Sequence, residues 1–378
     1  MKKVRILHTA DFHFDTPFKE IGEKQRNISR EELKDVFRNI VYLSKEREVD
    51  ILLLAGDIFD NYTLNKQTLR FIEDTLSLIP NIRVFISPGN HDPYANNSFY
   101  KLVKWPDNVY IFKGTLEKVY IDDLNLNVWG AGFNQKYINI SLLKDIKNEE
   151  LNKINIMVIH GEMSNSSKGN EYNPISINEI KESNMDYIAL GHRHSFSGIN
   201  IAGRTHFAYS GCPQGRGFDE LGDKGVILGE VYKGGVELEF YKTSIRNYEE
   251  EKINISDCNT YDEIRLKIIN SIDEIKRKEN LYKIILEGEI SSKLNLDENV
   301  LSKKISDDFY FCKIKDKTIY KYDLEDISKG YSVKSIFVKK LMKELEEADT
   351  DEEKEIIMMA IKYGLSSLSE GEVTLDDY

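Results

Sequence analysis

Five short polar clusters, each placed directly after an apolar run, hold five of the seven histidines of this 378-residue chain. They are Asp11-Phe12-His13, Gly56-Asp57, Gly89-Asn90-His91-Asp92, His160-Gly161 and Gly191-His192-Arg193-His194. Carboxylates, one amide and imidazoles with no thiolate form a donor set suited to manganese, iron or zinc rather than calcium. The D-x-H and H-x-H spacings predict paired ligands on one face of an extended segment, because alternate residues of a strand point the same way. Gly56, Gly89, Gly161 and Gly191 permit sharp turns and close backbone approach. Burying so many ionisable groups with no cation among them would be costly, which favours a metal site over capping or core roles.

The elements that must carry these clusters are legible as short, apolar, branched runs. Strands are expected at Val4–Ala10, Ile51–Gly56, Val84–Ser87, Val109–Phe112, Lys118–Ile121, Leu126–Ala131, Ile156–His160, Tyr187–Leu190 and Thr205–Tyr209, followed by a hairpin of Gly225–Val231 and Val236–Tyr241. A helix is expected from about Glu31 to Arg47, with Ser29 and Glu32 as a capping box, and a second over Lys66–Ile79. In open α/β sheets ligands bind beyond the carboxyl ends of strands, where five such ends can converge. The mixture predicts helices packed outside two facing sheets. From about Ser244 the pattern changes to strand Glu250–Ile255, helix Asp262–Lys278, strand Tyr282–Glu287, helix Asp297–Ile305 and strand Phe309–Ile314, a small α+β unit. Two helices, Ser332–Glu347 and Asp351–Tyr363, close the chain. Expected domains are therefore 1–243, 244–325 and 330–378.

Charge is distributed unevenly over these pieces. The chain carries 52 basic and 64 acidic residues, a net of -12. Residues 341–378 contain 3 basic and 12 acidic side chains, a net of -9, which leaves -3 for residues 1–340. A generic cationic nucleic-acid coat is excluded, while a nearly neutral body can still hold a basic groove. Three scattered cysteines form neither a disulfide framework nor a thiolate zinc site, and fit a reducing cytoplasm. No signal-peptide pattern opens the chain, and no apolar run approaches the roughly 20 residues that span a bilayer.

The ordered set D-x-H, GD, GNH-[DE], H and GH-x-H resembles the calcineurin-like metallophosphoesterase superfamily, and all five parts are present. Its fold would be a two-sheet β-sandwich core flanked by helices. The resemblance implies two divalent metal ions, with manganese expected. Asp11, His13 and His194 would hold the first, Asn90, His160 and His192 the second, and Asp57 would bridge them. Such ions polarise a phosphoryl oxygen and activate a water. His91 would serve as general acid or stabilise transition-state charge, with Asp92 tuning it. Residues His13–Phe18, Arg26, Glu31–Tyr42 and Val49–Asp60 narrow the resemblance to SbcD-like exonucleases of the YhaO type. So do Ala189–His194, Tyr209-Ser210-Gly211, Gly217-Phe218-Asp219-Glu220 and Lys224-Gly225-Val226. That likeness is specific over about 1–240 and implies a DNA nuclease of double-strand break repair. It also implies a homodimer, a small α+β capping domain, and a terminal helical hairpin that binds an SbcC-type coiled-coil ATPase. Archaeal relatives carry a histidine where this chain has Asp60, which leaves the partner of His91 open.

Lys19, Arg26, Arg193 and Arg216 are candidate contacts to DNA phosphates, which bind such side chains irrespective of sequence. Phe14, Tyr94 and Phe218 are candidates for base stacking, with core packing the commoner role of such residues. His8 is expected to be a core residue rather than a ligand, and His206 is assigned no role. Two other functions fit the same scaffold: a small-molecule phosphodiesterase or phosphoprotein phosphatase, and a non-catalytic subunit. The appended units argue against the former, and the complete ligand set against the latter.

Overall fold

The computed structural model describes residues 2–60, 65–96, 98–144, 146–164, 171–291, 294, 296–321 and 324–370. The chain divides into two compact units, Met1–Glu249 and Glu250–Tyr378. The first runs β1 (Lys3–Thr9), α1 (Glu23–Glu46), β2 (Ile51–Leu54), α2 (Lys66–Leu76), β3 (Arg83–Ile86), β4 (Val109–Ile111), β5 (Glu117–Ile121) and β6 (Leu126–Ala131). It continues with β7 (Ile154–His160), α3 (Ile177–Ser183), β8 (Tyr187–Gly191), β9 (Asn200–Ala202), β10 (Thr205–Tyr209), β11 (Gly225–Tyr232) and β12 (Gly235–Lys242).

Two mixed six-stranded sheets result, ordered β12-β11-β1-β2-β3-β4 and β5-β6-β7-β8-β10-β9. Strands β1 to β4 are mutually parallel, as are β6, β7 and β8. One core, with Val4, Ile6, Leu53 and Phe85 from the first sheet and Val128, Ile156 and Tyr187 from the second, lies between the sheets. A second packs Leu7, Leu52 and Val84 under Leu33, Phe37, Ile40 and Ile72 of α1 and α2. A third packs Met157, Ile159 and Ile188 against Ile180 of α3. The central strands are buried on both faces, which is why they read as continuous apolar runs rather than alternating ones. This is the expected architecture of two facing sheets flanked by helices.

Helix α1 begins eight residues before the expected start. Gly22 occupies the N-cap and Ser29 is buried inside the helix. The Ser29–Glu32 capping box does not form: Glu32 instead meets Arg246 at 2.7 Å. The polar stretch 23–30 has no apolar period to announce it, so only tertiary contacts reveal its helicity.

The second unit is entered along β13 (Tyr248–Asn254). It continues with α4 (Tyr261–Ser271), α5 (Glu274–Glu279), β14 (Leu281–Glu287), β15 (Glu289–Ser291), α6 (Glu298–Ile305), β16 (Phe311–Asp316) and β17 (Ile319–Lys321). The helix expected over 262–278 is two helices. Asp273 breaks it by capping α5, its carboxylate accepting from Ile275 N at 3.0 Å and Lys276 N at 3.1 Å. Strands β13, β14 and β16 form a sheet whose apolar face, with Ile253, Ile284 and Ile314, packs on Ile264, Ile268, Leu301 and Ile305. Helices α7 (Leu324–Ser328), α8 (Val333–Glu347) and α9 (Asp351–Glu370) follow. Val338, Ile361 and Leu365 form their buried centre, with Phe337, Leu341, Met342 and Ile357 around it. Ile336, Ile356, Met359 and Tyr363 of these helices are exposed. The last residues of the terminal segment, 371–378, lie outside the described residues.

Candidate metal centre

The five polar clusters leave the carboxyl ends of β1, β2, β3, β7 and β8, and the two sheets bring them together. Asp11 and His13 follow β1. They are not on an extended segment: their φ angles are 57° and 48°, in the left-handed region. The same holds for Asp57 (φ 50°) and His192 (φ 115°). The alternation argument for D-x-H and H-x-H therefore fails, because both pairs sit on turns beyond the strands. Non-glycine residues in this region cost energy and persist only where surrounding structure over-determines them. Here the loop after β1 is tied to the loop after β2, through Asp11 N to Gly56 O (3.0 Å), His13 N to Asp57 O (2.9 Å) and Phe14 N to Ile58 O (2.8 Å). Gly89 is required at its position, since a Cβ there would fall 2.1 Å from Asp57 Oδ1.

Asp11, His13 and His194 offer donor atoms all within 4.8 Å of one another, and so do Asp11, Asp57 and His160. Asn90 Oδ1 is 3.0 Å from His160 Nε2, and Asp57 Oδ2 is 3.4 Å from the same nitrogen. His160 Nδ1 donates to the Ala55 carbonyl at 2.9 Å, so its Nε2 turns a lone pair toward these two oxygens. The rings of His160 and His192 meet edge to face at 5.2 Å. His192 N donates to both carboxylate oxygens of Asp11 at 3.1 Å. The structure thus gathers Asp11, His13, Asp57, Asn90, His160, His192 and His194 in one place.

The electrostatics are those of a site short of positive charge. Burial pushes the Asp11 carboxyl up to about 6, against the opposing pull of His194 and Arg216. Burial, reinforced by the Asp92 and Asp11 carboxylates, lifts Asp57 well above the usual range. Burial holds His13 and His160 well below the ordinary imidazole value, and His192 at about 4. Both ring nitrogens of His13 are buried with no hydrogen-bond partner. Neutral imidazoles crowded against buried carboxylates form a donor set that fits divalent cations.

His91 stands at the edge of this cluster with 37% of its side chain exposed. Its backbone N donates to Asp57 Oδ1 at 2.9 Å. Its Nδ1 lies 3.1 Å from Asp60 Oδ1, so Asp60 supplies the partner that the sequence left open. Burial alone would raise Asp60, but the His13 and His91 rings hold its carboxyl well below the usual range. Asp92 does not reach His91. Its buried carboxylate accepts from Gly89 N (2.7 Å), Ile58 N (2.7 Å), Phe59 N (3.2 Å) and Tyr100 Oη (2.7 Å). A cavity of about 410 Å³ opens beside the centre, lined by His13, Lys19, Asp60, His91, His194 and Arg216 among others.

The candidate DNA contacts divide. Lys19 is exposed on the cavity wall, and Arg193 is exposed with its guanidinium over Tyr209. Arg26 is half-buried and spends Nε on the Ile21 carbonyl at 2.7 Å. Arg216, 10% exposed on the cavity wall, is held against Glu220. Phe14 stacks on Phe12 in the core, Phe218 packs on Tyr248, and Lys101 sits over Tyr94. His8 is fully buried between Tyr187 Oη (2.9 Å) and the Leu190 carbonyl (3.1 Å), a core residue as expected. All three cysteines are free. Among the described residues no helix is long and apolar enough to cross a membrane. Sequence reasoning assigned nothing to Glu220, although its partner Arg216 lies four residues earlier.

Two sheets flanked by helices, with an Asp/His/Asn cluster at the strand ends, define a metallophosphoesterase. The chain belongs to the calcineurin-like phosphoesterase family, whose pattern matches residues 4–196, just over half of its length. Members of this family are metal-dependent hydrolases of phosphoesters. The chain is 24% identical over 294 residues to the uncharacterized metallophosphoesterase YhaO of Bacillus subtilis, covering 75% of this chain and 71% of the relative. It is 22% identical over 325 residues to the SbcD subunit of the nuclease SbcCD of Staphylococcus epidermidis, covering 75% and 84%. A solved structure, TT1561 of Thermus thermophilus, matches with a TM-score of 0.39 and 11% identity, over 64% of this chain and 99% of that one.

Proposed function

We infer that this protein is a manganese-dependent DNA nuclease that hydrolyses phosphodiesters and works with an SbcC-type coiled-coil ATPase in double-strand break repair. The observation that carries this reading is a complete donor set with His91 held at the cavity mouth by Asp60. Likeness to a relative named as a subunit of the nuclease SbcCD supports DNA as the substrate. Asp11, His13 and His194 would hold one cation and Asn90, His160 and His192 the other, with Asp57 between them. Bound there, the cations would supply Lewis acidity to the phosphoryl oxygens and an activated water nucleophile.

The chain's own residues do the rest. To act as an acid the His91 ring must carry a proton on each nitrogen: Nδ1–H donates a hydrogen bond to Asp60 and Nε2–H faces the cavity. From there Nε2 donates a proton to the leaving oxygen as the phosphodiester opens. Asp92 ties the loop after β3 to the loop after β2, which keeps His91 and Asp57 in register. Lys19 and Arg193 meet backbone phosphates and carry no sequence preference. Residues 1–243 serve as the nuclease domain, 244–325 as the capping domain and 330–378 as the ATPase-binding segment of a homodimer.

The test is a comparison of substrates with purified protein and manganese: single-stranded and duplex DNA, bis-p-nitrophenyl phosphate and a phosphoprotein. Cutting of DNA is the expected result. Turnover of the phosphoprotein or of small phosphodiesters without DNA would overturn the nuclease reading in favour of a small-substrate or protein phosphatase. Absence of all turnover would favour a non-catalytic subunit.

A further inference from the structure

His194 Nδ1 lies between two side chains that make opposite demands on it: Glu220 Oε1 at 2.8 Å and Arg216 Nη2 at 3.0 Å. A carboxylate only accepts and a guanidinium only donates. With its proton on Nδ1, His194 donates to Glu220 and its Nε2 keeps a lone pair, which Arg216 Nη2 approaches at 3.4 Å. With the proton on Nε2, Arg216 donates to Nδ1 and Nε2 cannot bind a cation until that proton leaves.

The surroundings of Glu220 favour the first state. Its side chain is 5% exposed, and its two oxygens are already engaged by Arg216. Arg216 N donates to Oε2 at 2.8 Å, Nε to the same oxygen at 3.2 Å, and Nη2 to Oε1. These bonds hold the carboxylate as a fixed acceptor against the ring, while Nη2 also stands against both ring nitrogens. His194 in turn shares a donor cluster with Asp11 and His13. We propose that Glu220 is a positioning residue that, oriented by Arg216, holds His194 in the Nδ1–H form with Nε2 turned to the Asp11–His13 cluster. Arg216 is then not a contact to DNA but the counter-charge of this carboxylate. The proposal rests on His194 being a ligand of the first cation. Carboxylates that grip a ligating histidine from behind typically contribute a factor of roughly 10–100 in metal affinity.

The experiment is manganese titration calorimetry on the full-length protein, with long-range proton–nitrogen NMR of the metal-free form to read the His194 tautomer. Glu220→Gln is expected to weaken one of two manganese sites roughly 10–100-fold, leave the other unchanged, and mix the His194 tautomers. In a His194→Ala background the same substitution should add nothing. Should Glu220→Gln fail to fold because Arg216 is left buried without a counter-charge, Arg216→Met with Glu220→Met removes both charges together, which buried pairs often tolerate. That pair should show the same loss of affinity. Unchanged affinity at both sites and an intact Nδ1–H signal in the folded variant, beside a weakened His194→Ala, would overturn the positioning role alone. Unchanged manganese binding in His194→Ala would overturn the ligand reading itself.

Discussion

At the scale of single residues, Asp57 and His91 have separable roles. If Asp57 bridges two cations as proposed, Asp57→Asn should lose nearly all manganese-dependent cutting, because an amide brings neither the charge nor the lone pairs of a bridging carboxylate. Wild-type turnover in that variant would refute the assignment. His91→Ala should retain both manganese ions and DNA affinity while losing roughly 10²–10⁴ in rate. Metal analysis of the purified variant checks this, since depleted manganese would make His91 a ligand. His8 offers a test of stability that does not involve turnover. Burial lowers it from 6.5 to about 3 in the folded state. The unfolded chain therefore takes up a proton near pH 6.5 that the folded chain refuses, and stability falls as pH drops through the window from about 6.5 to 3. The slope is about 1.4 kcal/mol per unit. Between about pH 7 and 5, urea unfolding in EDTA should cost the native sequence about 2 kcal/mol more than it costs His8→Gln.

At the scale of elements, the site depends on how loops after different strands are fastened to one another. Asp92 is the main fastener between the loops after β2 and β3, accepting three backbone N–H groups and the Tyr100 hydroxyl. Asp92→Ala would leave these donors buried and unpaired, at about 1–3 kcal/mol for each group not rescued by water. Urea unfolding of the metal-free protein should show a loss of at least about 3 kcal/mol. A loss under about 1 kcal/mol would mean that the two loops are held together by other contacts.

At the scale of the whole molecule, the residues of the metal centre all belong to the Met1–Glu249 unit, while helices α8 and α9 belong to the other. Helices α8 and α9 share a small buried centre, yet Tyr331, Val333, Ile336 and Ile356 remain exposed. Two helices of this length are marginal in isolation, and the acidic run from Glu344 to Glu355 disfavours DNA and suits a basic coiled-coil surface. Deleting 330–378 should preserve manganese-dependent cutting of short single strands. It should abolish co-purification with a co-expressed SbcC-type ATPase and any ATP-stimulated cutting of duplex ends. Retention of the ATPase at full affinity would refute the docking role.

The types of donor residue and their place after apolar runs were enough to foresee two facing sheets flanked by helices and the convergence of five polar clusters at strand ends. Strand periodicity is local, and metal chemistry is written in the donor atoms themselves. Other features belong to the tertiary structure alone. The left-handed turns at Asp11, His13, Asp57 and His192 replace the extended pairs expected of D-x-H and H-x-H. Asp60 meets His91 from 31 residues away, and Glu220 meets His194 from another loop. Helix α1 starts at Glu23 because its polar first turns are stabilised by the rest of the fold rather than by an apolar period. In each case the deciding contact joins distant segments, and no local pattern of residue types encodes which distant group a buried side chain will face.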